Sequence, residues 1–180
     1  MYPTTPVRLR NFFAGIAEYT FQARLGVADP PLVDYISDLL VRFVRNDTVN
    51  RLRSPQGRPL MEIAEMLWEA QQRVGSARRE VHRHIGDFTL FWSGLYPESL
   101  REKKSPDKKD HLLDYCAQGK RAYLIASTIE TDSQEVVAPA DVLERLSHRF
   151  EMCAYALREI RAEWERGDDS DTPPRPFLIN

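Results

Sequence analysis

An uninterrupted apolar repeat in the centre of the chain most constrains its fold. Apolar side chains recur there in alternating steps of three and four residues. The repeat consists of Leu60, Ile63, Leu67, Ala70, Val74, Ala77, Val81, His84, Phe88, Phe91 and Leu95. Such steps keep side chains on one side of an α-helix. The repeat therefore predicts one long helix, or two nearly collinear ones, from about Pro59 to Ser93.

Helical spacing elsewhere predicts further helices, and no segment alternates as a β-strand would. Pro6 and Pro139 each open a helix, because proline is tolerated in a first helical turn. Asp29 can cap another helix by accepting hydrogen bonds from its free amides. A stripe of small apolar side chains predicts a helix from about Asp110 to Ile129. We therefore expect an all-α bundle of about five or six helices around one long central helix.

Composition indicates a soluble protein with a single core. The chain has 180 residues, of which 42% are hydrophobic, enough for one domain without disulfide support. No apolar run reaches the roughly 18 residues of a spanning helix, and no secretory signal is recognisable. The two cysteines, Cys116 and Cys153, are expected to be reduced and structural. We expect a cytoplasmic protein with one helical domain over residues 1–166 and a flexible tail over 167–180.

The net charge of -2 disfavours nucleic-acid binding, because nucleic-acid-binding domains are usually basic. Basic residues nevertheless cluster in two short stretches, where solvated side chains are the simpler interpretation. These residues are Arg78, Arg79, Arg83, Lys103, Lys104, Lys108 and Lys109. Weak nucleic-acid binding through them is the second alternative function.

His84 is the polar exception within the central repeat. Glu80 and Asp87 lie about one turn to either side and can reach it across the helix. His84 is interpreted as a core residue that hydrogen-bonds a carboxylate, a tyrosine or a backbone carbonyl. The alternative is a bundle that binds a small ligand or a metal around His84, with Tyr115 or Tyr123 as a polar neighbour. That alternative predicts His84, Asp87, Glu80 and Tyr115 as ligand-binding residues.

Known metal and catalytic motifs are absent from the sequence. Three histidines follow an acidic residue by four positions, namely Glu80 and His84, Asp107 and His111, and Glu144 and His148. Carboxylate-bridged di-metal bundles use Glu-x-x-His instead, which does not occur here. The sequence also lacks a glycine-rich phosphate loop, a nucleophile elbow, His-Glu-x-x-His and Cys-x-x-Cys. We predict no metal, no cofactor and no catalytic residue, and a protein that is not an enzyme.

The segment that begins at His84 has a distinctive set of residues. They are His84, Gly86, Asp87, Leu90, Phe91, Ser93, Gly94, Pro97, Glu98 and Leu100, followed by Asp114, Tyr115, Gly119, Ala122 and Tyr123. This pattern resembles a family of bacterial all-helical cytosolic proteins with no known activity. Cys116 departs from the polar or aromatic residue expected at its position. The resemblance implies a bacterial cytosolic protein and carries no cofactor or catalytic residue.

The densest aromatic segment predicts an interface. Phe88, Phe91, Trp92 and Tyr96 cover more than one face of a helix, so part of the segment needs a second surface. That surface is either the end of the bundle core or a partner, because aromatic residues are enriched at interfaces. We predict a non-enzymatic interaction module that self-associates as a dimer at micromolar concentration.

Gly75 and Gly86 are eleven residues apart, which places them on one face of the predicted central helix. Small residues in register indicate that a second helix approaches closely there. A kink at one glycine is the alternative.

Overall fold

The computed structural model describes residues 6–45, 52–131 and 138–167. These residues form eight α-helices: α1 (Pro6–Tyr19), α2 (Pro30–Val44), α3 (Ile63–Gln72), α4 (Gly75–Leu95), α5 (Leu100–Lys103), α6 (Tyr115–Thr128), α7 (Ala140–His148) and α8 (Phe150–Gly167). Within the described ranges the β-structure consists of one isolated bridge, between Arg53 and Pro59. The predicted all-α class is confirmed. The predicted tail lies outside the described residues from residue 168 onward.

Residues recognisable in the sequence set several helix ends. The Asp29 carboxylate accepts a hydrogen bond from the Leu32 amide at 3.3 Å, which caps α2. Asp114 caps α6 in the same way, through the Ala117 amide at 3.1 Å. After α1, a π-helical turn continues to Arg24, and the chain then turns at Gly26, whose φ is +65°.

The helix predicted over about 59–93 is in fact two helices, α3 and α4, that are not collinear. The backbone is extended at Arg73 and Val74, and Val74 is 83% exposed, so it leaves the apolar repeat. The start of α3 is held beside the later part of α4. The Ile63 amide donates to Asp110, and Tyr115, which also donates to Asp110, has its ring 6.5 Å from that of Phe88. Val74 and Ala77, the two members of the repeat at the break, are both exposed, so the buried side of α3 and the buried side of α4 are separate.

Two other predicted boundaries also differ from the structure. The last long helix is divided at Arg149, whose backbone leaves the helical region (φ -111°, ψ 25°), into α7 and α8. The helix predicted from Asp110 begins at Tyr115 instead. Asp110 lies in the preceding turns because its carboxylate binds the start of α3.

Helix α4 is the long central helix, and its residues are buried on nearly every side. Helix α6 packs against it in the antiparallel direction, with Gly86 beneath Tyr123 and Gly119 beside Thr89. Helix α8 crosses near Gly94, where Leu157 makes the contact. The predicted close approach is therefore present at Gly86. Gly75 instead starts α4 with φ +55° in open space, so it does not share that contact.

None of the helices formed by the described residues combines the length and the apolar character needed to cross a membrane.

Candidate functional site

The most polar part of the interior is a cluster around Asp87, which is fully buried. One carboxylate oxygen accepts hydrogen bonds from the hydroxyls of Tyr35 (2.6 Å) and Tyr123 (2.8 Å). The other oxygen accepts from Arg42 (2.8 Å) and Arg83 (3.2 Å). The cluster thus joins α2, α4 and α6 through a single side chain. We call these five residues the Asp87 cluster.

Charge and hydrogen bonding keep Asp87 ionised in this interior. Burial alone would raise the pKa of Asp87, but the guanidinium groups of Arg42 and Arg83 outweigh it and hold that pKa below its usual value. Burial, together with the negative charge of Asp87, raises the pKa of Tyr123, so the phenol remains a donor. A carboxylate has about four lone-pair positions, and all of those on Asp87 are in use. The arrangement therefore serves to hold three helices together.

The four predicted ligand-binding residues do not meet at one point. Glu80 and Asp87 are linked through Arg83, which binds Glu80 at 2.7 Å. His84 is 6% exposed, and its ring stacks on Phe43 with centroids 6.5 Å apart. Tyr115 belongs to a different cluster, so the structure does not bring together the predicted set.

Asp110 is the second fully buried carboxylate, and it caps α3 from a distance in the sequence. It accepts hydrogen bonds from the amides of Ile63 and Ala64, both at 2.8 Å, and from the Tyr115 hydroxyl at 2.7 Å. Burial and this hydrogen bond raise the pKa of Tyr115. Among the residues with described coordinates, no group of three or more His, Cys, Asp or Glu side chains is arranged to hold a metal ion.

His82 is a buried histidine whose ring nitrogens make no hydrogen bond to any described residue; it is 5% exposed. Burial lowers the pKa of His82, and the positive charges of Arg78 and Arg121 lower it further. The ring is therefore neutral in the folded protein near neutral pH.

This burial predicts sensitivity to mild acid. Above the ordinary histidine pKa of about 6.5, the His82 ring is neutral in both the folded and the unfolded chain. The full contribution of His82 to the unfolding free energy is then present. Below it the unfolded chain gains a proton that the folded chain does not, so the unfolding free energy should fall by up to about 1.4 kcal/mol per pH unit. Urea titrations between about pH 7 and pH 5 should show a shallower fall in His82→Leu, whereas the exposed His148→Gln should behave as the parent. An equal slope in all three proteins would contradict the prediction.

Some of the basic residues that the sequence offered for nucleic-acid binding instead make contacts within the fold. Arg79 is 4% exposed and donates to the Ala138 carbonyl at 2.6 Å, and Arg83 is held in the Asp87 cluster. Lys103 lies over the ring of Trp92, with its ammonium 3.8 Å from the centroid. These three cations therefore do not face a common surface.

The aromatic residues predicted at an interface are covered mainly by the chain itself. Phe88, Phe91 and Trp92 are 0%, 3% and 8% exposed, and Tyr96 is partly buried beside them. Their rings pack on one another, with Phe91 and Trp92 5.4 Å apart. The sequence predicted that either the bundle core or a partner covers this segment. In the structure these side chains pack in the bundle core.

Among the exposed aromatic residues of the described ranges, Trp68 on α3 is the most exposed, at 66%. Ile63, Met66 and Ala70 turn inward on the same helix and leave Trp68 on the outer side. Trp68 lines a groove of about 590 Å³ between α3 and the loop that contains Pro55. We call this concave surface the Trp68 groove.

The loop that forms one wall of the Trp68 groove is anchored at both ends. Leu52 and Leu60 are buried in the core, and the Leu60 amide donates to the Leu52 carbonyl at 2.9 Å. Between them the chain reverses at Gly57, whose φ of +82° favours glycine. The wall is therefore held in place before anything binds.

The charges that the Trp68 groove presents to solvent are positive. Glu65 is only 8% exposed and pairs with both Arg58 (2.6 Å) and Lys109. Burial would raise the pKa of Glu65, but hydrogen bonds from these two cations outweigh it and lower that pKa. Arg58 and Lys109 are themselves 63% and 60% exposed.

Comparison with known proteins adds no relative: the chain matches no protein-family model, no curated protein and no solved structure. The structure therefore defines the class of this protein. It is an all-α bundle that encloses a buried aspartate and has a surface groove lined by an exposed tryptophan.

Trp68 was not predicted as a candidate site residue, because the densest aromatic run lies elsewhere, on α4. A signal was available, since Trp68 lies one position after Leu67 and outside the apolar repeat. Tyr35 and Arg42 were not predicted either, because no sequence spacing indicates their contact with Asp87.

Proposed function

We propose that the chain is a non-enzymatic protein-interaction module that self-associates through the Trp68 groove. The observation that carries the proposal is a tryptophan that is 66% exposed on the wall of a concave surface. Tryptophan is enriched among the residues that contribute most to binding between proteins. Burying its exposed area would remove a large apolar surface from water, which favours association.

The internal use of the carboxylates supports a binding role rather than a catalytic one. Asp87 accepts four hydrogen bonds and Asp110 accepts three, all from groups of the chain. A general acid or base needs a carboxylate that can exchange a proton with a substrate. Both residues are saturated and buried, which favours a structural role for them.

Self-association is tested by light scattering at micromolar concentration. We expect the parent to have twice the chain mass of 20.9 kDa, and Trp68→Ala to have the monomer mass. Tyr155→Ala is the matched control, because Tyr155 is an exposed aromatic residue (47%) on α8. Trp68→Ala should unfold at the urea concentration at which the parent unfolds once it is diluted to monomer, because the side chain contributes little to the core.

Two results would count against the proposal. A parent protein that stays monomeric over the micromolar range would remove self-association. A dimer that survives Trp68→Ala would place the interface on another surface.

A further inference from the structure

We infer that Arg78, His82 and Arg121 form a binding site for a phosphate group where α4 and α6 meet at the surface. Arg78 and His82 belong to α4, and Arg121 belongs to α6. The site combines two exposed guanidinium groups with a buried imidazole. It shares no residue with the Trp68 groove, so the inference is independent of the proposed self-association.

The packing of α4 against α6 places the three side chains together. Gly86 lies beneath the ring of Tyr123, which marks the side of α4 that faces α6. His82 precedes Gly86 by four residues and Arg78 precedes His82 by four, so both lie towards that side. Arg121 belongs to the turn of α6 that contains Tyr123. The charges of both arginines act on the His82 ring, so the three groups are neighbours.

The positive charge of this site is not neutralised by the part of the chain that the structure describes. Neither Arg78 nor Arg121 forms an ion pair or a side-chain hydrogen bond with a described residue. Arg79 and Arg83 differ from them, because each donates to an acceptor within the fold. The two exposed guanidinium groups therefore keep their N–H donors available for a ligand.

His82 gives the site a buried donor that lacks a partner. Both of its ring nitrogens are buried and make no hydrogen bond to a residue of the described ranges. Buried polar groups are nearly always hydrogen-bonded, because leaving one unpaired is costly. The neutral ring has one N–H, which an oxygen of a ligand held by the arginines can accept. Arginine side chains have many rotamers, so Arg78 and Arg121 can rearrange around a ligand without moving the helices.

The donors of this site favour phosphate over other anions. Guanidinium groups bind phosphate oxygens through pairs of parallel hydrogen bonds. A phosphate monoester carries about 1.5 to 2 negative charges near pH 7, which two guanidinium groups neutralise. A carboxylate has a single charge and would leave one arginine unpaired.

The test follows the imidazole proton signal of His82 by NMR while inorganic phosphate is added at constant pH and ionic strength. The chain has four histidines, and the His82 signal is the one absent from His82→Leu. We expect a saturable shift of this signal and none at His148, which is exposed on α7. Arg78→Gln and Arg121→Gln should each weaken binding about tenfold, because each removes charge-assisted hydrogen bonds. Arg8→Gln changes an exposed arginine of α1 and should bind as the parent does.

Urea unfolding gives a second readout that does not depend on the His82 signal. Without phosphate, the arginine variants should unfold as the parent does, because both side chains are exposed. Added phosphate should raise the urea midpoint more in the parent and in Arg8→Gln than in Arg78→Gln or Arg121→Gln, since a ligand of the folded chain stabilises it. The rise that remains in the two site variants measures the general exclusion of phosphate from protein surfaces.

Methyl phosphate, a monoester, distinguishes the two sources of the phosphate group. Tighter binding of methyl phosphate would support an esterified ligand, and tighter binding of inorganic phosphate would support the free anion. A His82 signal that neither compound moves, or that moves equally in the parent and in both site variants, would overturn the inference. Phosphate binding by a protein that is monomeric throughout would support the inference while removing self-association.

Discussion

Asp87→Asn is expected to lower the unfolding free energy by about 3–5 kcal/mol, the usual cost of breaking a buried ion pair from one side. The substitution removes the negative charge while Arg83 remains 4% exposed and Arg42 20% exposed. It also replaces an acceptor by an amide that would face a donor. Because a domain of this size is stabilised by only about 5–15 kcal/mol, the loss should be obvious in urea unfolding.

Asp38→Asn is the matched control for this experiment. Asp38 also forms an ion pair, with Arg10 at 2.8 Å, but both side chains are about half exposed or more. Exposed pairs contribute at most about 1 kcal/mol, so the control should unfold close to the parent. An Asp87→Asn protein that is as stable as the parent, but has lost a co-purifying small molecule, would instead favour the ligand-binding alternative.

Gly86→Ala is expected to lower the unfolding free energy by about 2–4 kcal/mol, through overpacking and loss of a hydrogen bond to a charged group. A Cβ atom at residue 86 would lie 2.6 Å from the ring of Tyr123. Tyr123 cannot move away freely, since its hydroxyl donates to Asp87 at 2.8 Å. One methyl group would therefore disturb both the contact between α4 and α6 and the Asp87 cluster.

Gly15→Ala is the same chemical change in a helix where nothing lies within 4 Å of the new Cβ. It should raise the unfolding free energy by up to about 1 kcal/mol, because alanine is the better helix former. Urea unfolding of the two variants should thus give effects of opposite sign. A stable Gly86→Ala protein would mean that α6 is not held against α4 as described.

The helices and many of their ends were predictable from the sequence because they depend on neighbouring residues. Asp29 caps α2, as the pattern predicts, and Gly26, with its positive φ, ends the turn after α1. Periodicity was less informative about where a helix breaks. It runs through Arg73 and Val74, although the backbone there is extended.

The candidate site was predictable only in part, because spacing along the sequence indicates contacts within one helix and not contacts between helices. Spacing on one helix placed Glu80, His84 and Asp87 together, and Arg83 does connect two of them. Tyr115 was predicted as a polar neighbour of His84, yet it binds Asp110. Which tyrosine faces which carboxylate depends on how α4 and α6 cross.

The all-α class, the capping residues and the apolar side of each helix follow from the sequence, since they depend on backbone geometry over a few residues. Tertiary structure alone decided that α3 folds back beside α4 and that Asp87 is paired by Tyr35 and Arg42, which precede it by 52 and 45 residues. It also decided that Trp68 faces a groove while Trp92 is buried. Contacts between residues so far apart depend on how whole helices pack together, and no local pattern specifies that packing.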